Sequence, residues 1–297
     1  MRITNKHGAP QTLVNLALRD PYSKGAADVS VTELIGSPRI SLLRSLHDSE
    51  LEKDVGDMLW ALVGSALHVV AERGADDTHL AEERLFAEMD GWVISGGIDV
   101  QKIGDNVVAL SDYKFTSVWS VMNDKPEWEA QLNCYAWLMR RSKGLHVTGL
   151  SIHALLRDWN RHSVGVKQGY PPSAIHTVNI PVWSDAKQDL YIKERVALHQ
   201  EARSAHDLDA PVPECTDADR WMKQDSYAVM KDGRKTAIRV TDTAIEAGEV
   251  LARTPGAYVK IRKGEPTRCV GDYCSVSRFC EQHAGWLRDN QGHQPEL

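Results

Sequence analysis

The strongest constraint on this chain lies in three successive segments, residues 80–89, 92–103 and 107–115. Each has β-strand character, and each junction carries turn residues. Asp90-Gly91 joins the first two and Gly104-Asp105-Asn106 the last two. An Asp-Gly pair suits the tight hairpin turn whose two central residues both need positive φ. The expectation is an antiparallel three-stranded meander. Such a meander needs other elements to cover it.

The flanking chain supplies them. A helix is expected over 50–73, with Leu51, Val55, Leu59, Leu62, Val63, Leu67 and Val70 at helical spacing and Gly74 as its stop. A short helix opens at Ser37-Pro38 and runs through Ile40, Leu42, Leu43 and Leu46. Pro126 opens another, with Glu127 and Glu129 in its first turn. Leu132, Tyr135, Ala136, Leu138 and Met139 form its apolar stripe, and Arg140, Arg141, Lys143 and Gly144 end it. Residues 147–156 and 176–182 read as strands, and 185–206 as a helix. The fold class is therefore mixed α/β (α+β): a central mixed sheet flanked by helices, with a C-terminal cysteine-containing extension.

Three regions are expected. Residues 1–28 are polar and read as a loose N-terminal arm, 29–206 form the core, and 207–297 form the extension. Pro211-Val212-Pro213 marks the boundary. The extension carries a hairpin around Asp232-Gly233, a short helix over 245–252, a strand over 258–261 and the cysteine-rich tail.

Composition excludes several classes. With 42% hydrophobic and 26% charged residues among 297, a sizeable core is expected and global disorder is not. The apolar run over 58–70 is interrupted by Gly64, Ser65 and His68, too soon to span a bilayer. The opening Met1-Arg2-Ile3-Thr4-Asn5-Lys6 has no signal-peptide pattern, so a cytoplasmic location without a membrane partner is expected. Five cysteines do not make a secreted disulfide framework. A net charge of -6 argues against non-specific coating of nucleic acid. It leaves room for an acidic metal site beside local basic patches. Lys231, Arg234, Lys235 and Arg239 form one such segment, and Lys260, Arg262, Lys263 and Arg268 another. Each is read either as solvated surface or as a hold on a DNA backbone. No phosphate-binding Gly-rich loop ending in Lys-Ser/Thr is present, so no ATPase motor is encoded.

The meander also carries the chemistry. Asp112 and Lys114 are two apart on one strand and share a face. Asp99, on the neighbouring strand, reaches that face only if the register aligns. Two carboxylates can hold Mg²⁺ or Mn²⁺, with the backbone carbonyl of Tyr113 as a further ligand. Lys114 can orient the attacking water and stabilise charge on a phosphate. His68, late in the first long helix, offers an imidazole. Taken as three isolated residues, Asp99, Asp112 and Lys114 read more readily as a solvated strand than as a site.

The order of fragments adds to this. Gly64-X-X-X-His68, Gly97-Ile98-Asp99, Asp112-Tyr113-Lys114 and Gln131-X-X-X-Tyr135 together resemble the PD-(D/E)XK nuclease superfamily. The resemblance is to its RecB-type branch, which includes CRISPR-adaptation nucleases and phage exonuclease-like proteins. The motifs span 64–135, and a looser likeness covers about 30–205. The resemblance implies a restriction-endonuclease-like core. It also implies a divalent cation on His68, Asp99 and Asp112, and a catalytic Lys114. Gln131 and Tyr135 would lie beside the site, contacting DNA or supporting the lysine. Glu83 is a candidate further acid, with Glu82 and Glu129 as rivals. The implied activity is metal-dependent DNA hydrolysis, as an exonuclease acting on ends or single strands. The implied setting is a bacterial or phage-infected host cytoplasm, with a helicase or recombination protein as partner. Two alternatives stand beside it: a DNA-binding or assembly module with weak or partner-dependent catalysis, and a structure-specific endonuclease of the same superfamily.

Cys269, Cys274 and Cys280 fall within twelve residues, and Cys215 is a candidate fourth ligand. Four thiolates suit an iron–sulfur cluster or structural zinc. Reduced, packed thiols are an equal reading. RecB-type nucleases often carry a four-iron cluster held by one cysteine upstream of the nuclease motifs and three near the C-terminus. The step from Cys274 to Cys280 resembles that pattern, whereas the gap from Cys269 to Cys274 is longer. No cysteine precedes Cys134, which is read as a buried structural thiol.

Overall fold

The computed structural model describes residues 1–19, 24–74, 76 and 78–290. In chain order its elements begin with β1 (Arg2–Thr4), α1 (Gln11–Leu18), β2 (Val29–Ser30), α2 (Val31–Ile35), α3 (Pro38–Leu46), β3 (Glu52–Asp54) and α4 (Leu59–Glu72). The meander follows as β4 (His79–Met89), β5 (Trp92–Ile103) and β6 (Val107–Thr116). Then come α5 (Val118–Met122), α6 (Pro126–Lys143), β7 (His146–Leu156), β8 (Ile175–Ile180) and α7 (Asp185–Asp207). The remainder is α8 (Asp217–Arg220), β9 (Ser226–Lys231), β10 (Arg239–Thr241), α9 (Ala244–Ala252), β11 (Ala257–Arg262), α10 (Thr267–Val270) and α11 (Glu281–Asp289). The chain divides into two compact units, one of residues 1–38 and 48–212, the other of 39–47 and 213–297.

The first unit is mixed α/β. Its six-stranded sheet runs β2-β5-β6-β7-β8, with β4 paired along almost the whole of β5. The meander pairs are antiparallel, β6 and β7 are parallel, and β7 and β8 are antiparallel. A parallel pair needs a crossover, and α6 provides it. Pro126 starts that helix, and Gly144 ends it in the left-handed conformation at φ 68. Its residues from Leu132 to Met139 are all buried. They pack with Ile94, Ile98, Leu110, Ile152 and Ile192 into one core. Full burial of such side chains contributes about 1.5–3 kcal/mol each.

Two expectations are corrected here. The first long helix does not start at residue 50. Residues 52–54 form β3, and Val55–Met58 is a 3-10 turn before α4 begins. Asp54 explains the change: its carboxylate accepts from Gly56 N at 2.9 Å, Lys6 N at 2.6 Å and Thr4 Oγ1 at 2.9 Å. Correspondingly, the N-terminal segment is not a loose arm. β1 pairs in parallel with β3, and Ala17 of α1 packs on Val55, Met58 and Leu62. Residues 20–23 of that segment lie outside the described residues.

The second unit holds a three-stranded antiparallel sheet, β10-β9-β11, with α9 against it. The boundary falls between Val212 and Pro213, within the proline-marked stretch. Residues 39–47, expected in the core, belong to this unit instead. His47 stacks on Phe279 with ring centroids 3.8 Å apart, and Arg44 Nε donates to Ser275 Oγ at 3.2 Å. Among the described residues, no helix is long and apolar enough to cross a membrane.

Candidate metal centre and cysteine pocket

The candidate metal centre forms where two strand ladders break together. The β4–β5 ladder runs through Ala81↔Val100 and resumes at Glu83↔Ile98, so Glu82 stands opposite Asp99 without pairing. Glu82 has φ 54. A left-handed non-glycine residue costs on the order of 1–3 kcal/mol and persists only where its surroundings enforce it. The β5–β6 ladder ends at Val100↔Ser111, which leaves Asp99 opposite Asp112. Opposed residues of an antiparallel pair share a face. Asp99 Oδ2 accepts the Tyr113 N–H at 2.8 Å, taking a donor that the ladder leaves unused.

Around this break the side chains converge. His68 Nδ1 lies 3.0 Å from Glu82 Oε1 and 3.6 Å from Asp99 Oδ2. His68, Glu82 and Asp99 each offer a ligand atom, all within 4.8 Å of one another. Lys114 Nζ is 2.6 Å from Asp112 Oδ2. Gln131 Nε2 donates to Asp112 Oδ1 at 3.2 Å and to Tyr135 Oη at 2.8 Å. Tyr135 in turn fixes α6 against β5. A Cβ on Gly96 would stand 2.8 Å from both the Tyr135 ring and Leu138 Cδ1, so only glycine permits this approach.

The electrostatics follow from burial. The Asp99 and Asp112 side chains are only 11% and 3% exposed. Burial, then the charge of Asp112, pushes the Asp99 carboxyl up to about 7. The hydrogen bond to Glu82, then the charges of Asp99 and Glu82, raise His68 above its usual value. Asp112 Oδ2 is buried with no hydrogen bond of acceptable geometry, although the Lys114 ammonium lies beside it. Three carboxylates, one of them with a buried oxygen that has spare acceptor capacity, and an imidazole fit a hard divalent cation. His68, Glu82 and Asp99 would hold it, with Asp112 adjacent.

Of the three candidate acids Glu82, Glu83 and Glu129, the structure brings Glu82 to His68. Glu83 is engaged by Gln101 Nε2 at 2.7 Å and by the Lys143 ammonium. Glu129 binds the Trp183 indole N–H. Glu82 alone of the three turns to His68. Strand alternation could not reveal this, because the left-handed residue breaks the period.

The second unit contains a separate pocket. Cys215, Cys269, Cys274 and Cys280 all line it, together with Arg39, Ile40, Asp219, Arg220, Arg268 and Gln282. Gln282 brackets Cys215, accepting its N–H at 2.9 Å and donating to its carbonyl at 3.0 Å. Burial, then the neighbouring cysteines, pushes the Cys269 thiol up to about 11. The Nε atoms of Arg220 and Arg268 are buried without hydrogen-bond partners. Four convergent thiols lined by cationic groups with unused donors fit a metal group carrying net negative charge. No three of the sulfurs approach within 4.8 Å of one another, among the described residues. Cys134 lies elsewhere, 1% exposed in the core of the first unit.

Neither a family model nor a curated protein matches the chain. Several solved structures resemble it. A protein designated SSO0001 is 17% identical, with a TM-score of 0.45 over 63% of this chain and 85% of that one. A "putative exonuclease" from Eubacterium rectale is 14% identical, with a TM-score of 0.29 over 65% of this chain and 67% of that one.

Proposed function

We propose that this chain is a divalent-metal-dependent DNA nuclease of the PD-(D/E)XK superfamily, in its RecB-type branch. The observation that carries the reading is the double ladder break at Asp99. It gathers Glu82, Asp99 and Asp112 with His68 and Lys114. A bound Mg²⁺ or Mn²⁺ supplies Lewis acidity toward a phosphodiester and lowers the pKa of water. His68, Glu82 and Asp99 hold the cation, and the carboxylate of Asp112 completes the acidic wall. Lys114 hydrogen-bonds the attacking water and stabilises the charge that grows on the phosphate. Gln131 fixes the Asp112 carboxylate, and Tyr135 fixes Gln131. The basic segment at Lys231–Arg239, with Lys260, Arg262 and Lys263, holds the DNA backbone.

The cysteine pocket is, in the same reading, the seat of an iron–sulfur cluster with Cys215, Cys269, Cys274 and Cys280 as ligands. The convergence of the four thiols supports it. In the family pattern an upstream segment supplies a cysteine. Here the upstream helix α3 reaches the pocket with Arg39, and Cys215 is the fourth thiol.

The test is a metal panel with Mg²⁺ and Mn²⁺ on end-labelled linear duplex, covalently closed circles and single-stranded DNA. Linear and single-stranded DNA are expected to be degraded and closed circles to resist. Lys114→Ala and Asp112→Asn should each lower the rate by about 10²-fold or more while far-UV circular dichroism is unchanged. Folded wild-type protein that cleaves no form of DNA with either metal would sink the reading.

A further inference from the structure

Guanidinium groups are concentrated around the cysteine pocket. Three guanidinium-bearing side chains line it: Arg39, Arg220 and Arg268. Arg39 is 7% exposed. Its Nε donates to the Pro213 carbonyl at 2.9 Å, and its Nη1 lies 3.8 Å from Cys280 Sγ, within the range for a donor to sulfur. Arg268 is fixed by Nη1 donating to the Asp219 carbonyl at 3.0 Å, and its Nε has no partner. Arg220 binds the exposed Asp217 through Nη2 at 2.7 Å, and its Nε also has no partner.

The pocket offers little negative charge in return. Asp219 is the one carboxylate in its lining, and that group is committed elsewhere. Its Oδ2 accepts from Thr216 N at 3.0 Å and from Thr216 Oγ1 at 2.9 Å, closing the capping box of α8. The lining thus carries three cationic side chains and one carboxylate. Four thiolates around a dipositive centre would leave two negative charges beside these arginines.

We propose that Arg39, Arg220 and Arg268 form the charge-compensating shell of the cysteine pocket, and that Arg39, through Cys280 Sγ, raises the reduction potential of the cluster held there. The inference rests on the cluster reading given above. Arg39 is a positioning residue, since it acts through a ligand. Hydrogen bonds to the sulfurs and nearby charge are established levers on cluster potential. A cation favours the reduced cluster because reduction adds a negative charge. This assignment also gives α3 a role: it carries Arg39 from the N-terminal part of the sequence to the C-terminal cysteines.

The experiment uses the full chain, reconstituted anaerobically with ferrous iron and sulfide. Cluster loading is read from bound iron and the thiolate-to-iron absorbance, and the midpoint potential from a dithionite titration. Arg39→Gln is expected to lower the midpoint potential, with a shift in the oxidised-to-reduced ratio of about tenfold, or about 59 mV for a one-electron couple. Arg39→Lys should recover most of the shift. Arg268→Gln should move the potential the same way, and it serves as the readout if Arg39→Gln does not fold. Folded Arg39→Gln that loads no cluster while Arg39→Lys loads also supports the shell. Wild-type potentials in both glutamine variants would overturn the arginine assignment and leave the cluster in place. Wild-type protein that takes up no iron–sulfide chromophore would remove both.

Discussion

The Tyr113 N–H donates to Asp99 Oδ2 at 2.8 Å, across the point where β5 and β6 stop pairing. One hydrogen bond thus does two things. It satisfies a backbone donor freed by the end of the ladder, and it holds a carboxylate at the mouth of the gap. Asp99→Asn keeps the shape and an acceptor oxygen but loses the charge. The expected outcome is a melting temperature close to wild type without metal, and Mn²⁺ affinity at least about tenfold weaker. Calorimetric titration with Mn²⁺ checks the second part. Unchanged affinity would remove Asp99 from the ligand set.

Glu82 and Glu83 can be told apart in the same way. Glu82 faces His68 at 3.0 Å, whereas Glu83 is tied to Gln101 and Lys143. Glu82→Gln is expected to weaken Mn²⁺ binding by about tenfold or more. Glu83→Gln should leave binding alone and cost stability by about 1 kcal/mol through the loss of its partly exposed ion pair. Urea unfolding and calorimetry on both variants decide the matter. Equal metal affinities would refute the distinction.

The uneven legibility of this site has a physical origin. The meander was readable because its turns impose rare backbone angles that few residues tolerate. Asp90 and Gly91 have φ 48 and 80, and Asn106 has φ 59. The α6 helix was readable from Pro126 and Gly144 for the same reason. Asp112 and Lys114 share a face by strand period alone. Glu82 could be named only as one of three candidate acids, because one left-handed residue inside a strand cancels the alternation that sequence reasoning relies on. The recruitment of α3 into the second unit was not readable either. Arg39 and Cys280 are 241 residues apart, and no local pattern records a contact of that separation.

Gly96 tests the support beneath the site. A methyl group there meets the Tyr135 ring and Leu138 Cδ1 at 2.8 Å. Leu138 can yield by rotation, but Tyr135 is 5% exposed and hydrogen-bonded to Gln131. Gly96→Ala is expected to destabilise by about 1–3 kcal/mol, the usual range for overpacking. It should also lower nuclease rate by more than the lost stability explains, because moving Tyr135 loosens Gln131 and Asp112. Denaturant midpoints and single-turnover rates measured together test this. Wild-type stability would show that the strand has room to shift.

His199 gives the fold a pH dependence of its own. It is 5% exposed, with Nε2 3.2 Å from the Leu34 carbonyl. Burial, and then Arg195, push its pKa down to about 4, against the smaller opposing effects of the Leu34 carbonyl and Glu33; Arg203 also pushes it down. A depressed histidine binds a proton in the unfolded chain before the folded one does. Its contribution to stability is therefore complete above about pH 6.5 and is lost as pH falls toward 4. The loss at pH 5 is roughly 2 kcal/mol relative to pH 7.5. Urea midpoints at the two pH values should show it, and His199→Gln, which keeps a donor for Leu34, should flatten the difference. An equally steep profile in the variant would place the effect in other groups.

The five cysteines make the sharpest division between the two units. Cys215, Cys269, Cys274 and Cys280 share one pocket, while Cys134 is 1% exposed in a different core. Burial pushes the Cys134 thiol up to about 12, so it stays protonated and unreactive. Cys134→Ser should leave iron uptake and the brown chromophore at wild-type levels, at some cost in stability from a buried hydroxyl. Serine at any of the other four positions should reduce iron uptake severalfold, because each removes one of the four proposed ligands. Cys215 is the informative member, since it lies more than fifty residues before the other three. Loss of loading in Cys215→Ser, with loading kept in Cys134→Ser, would assign the four-ligand set. Equal loading in both would leave a three-cysteine site and require a different fourth ligand.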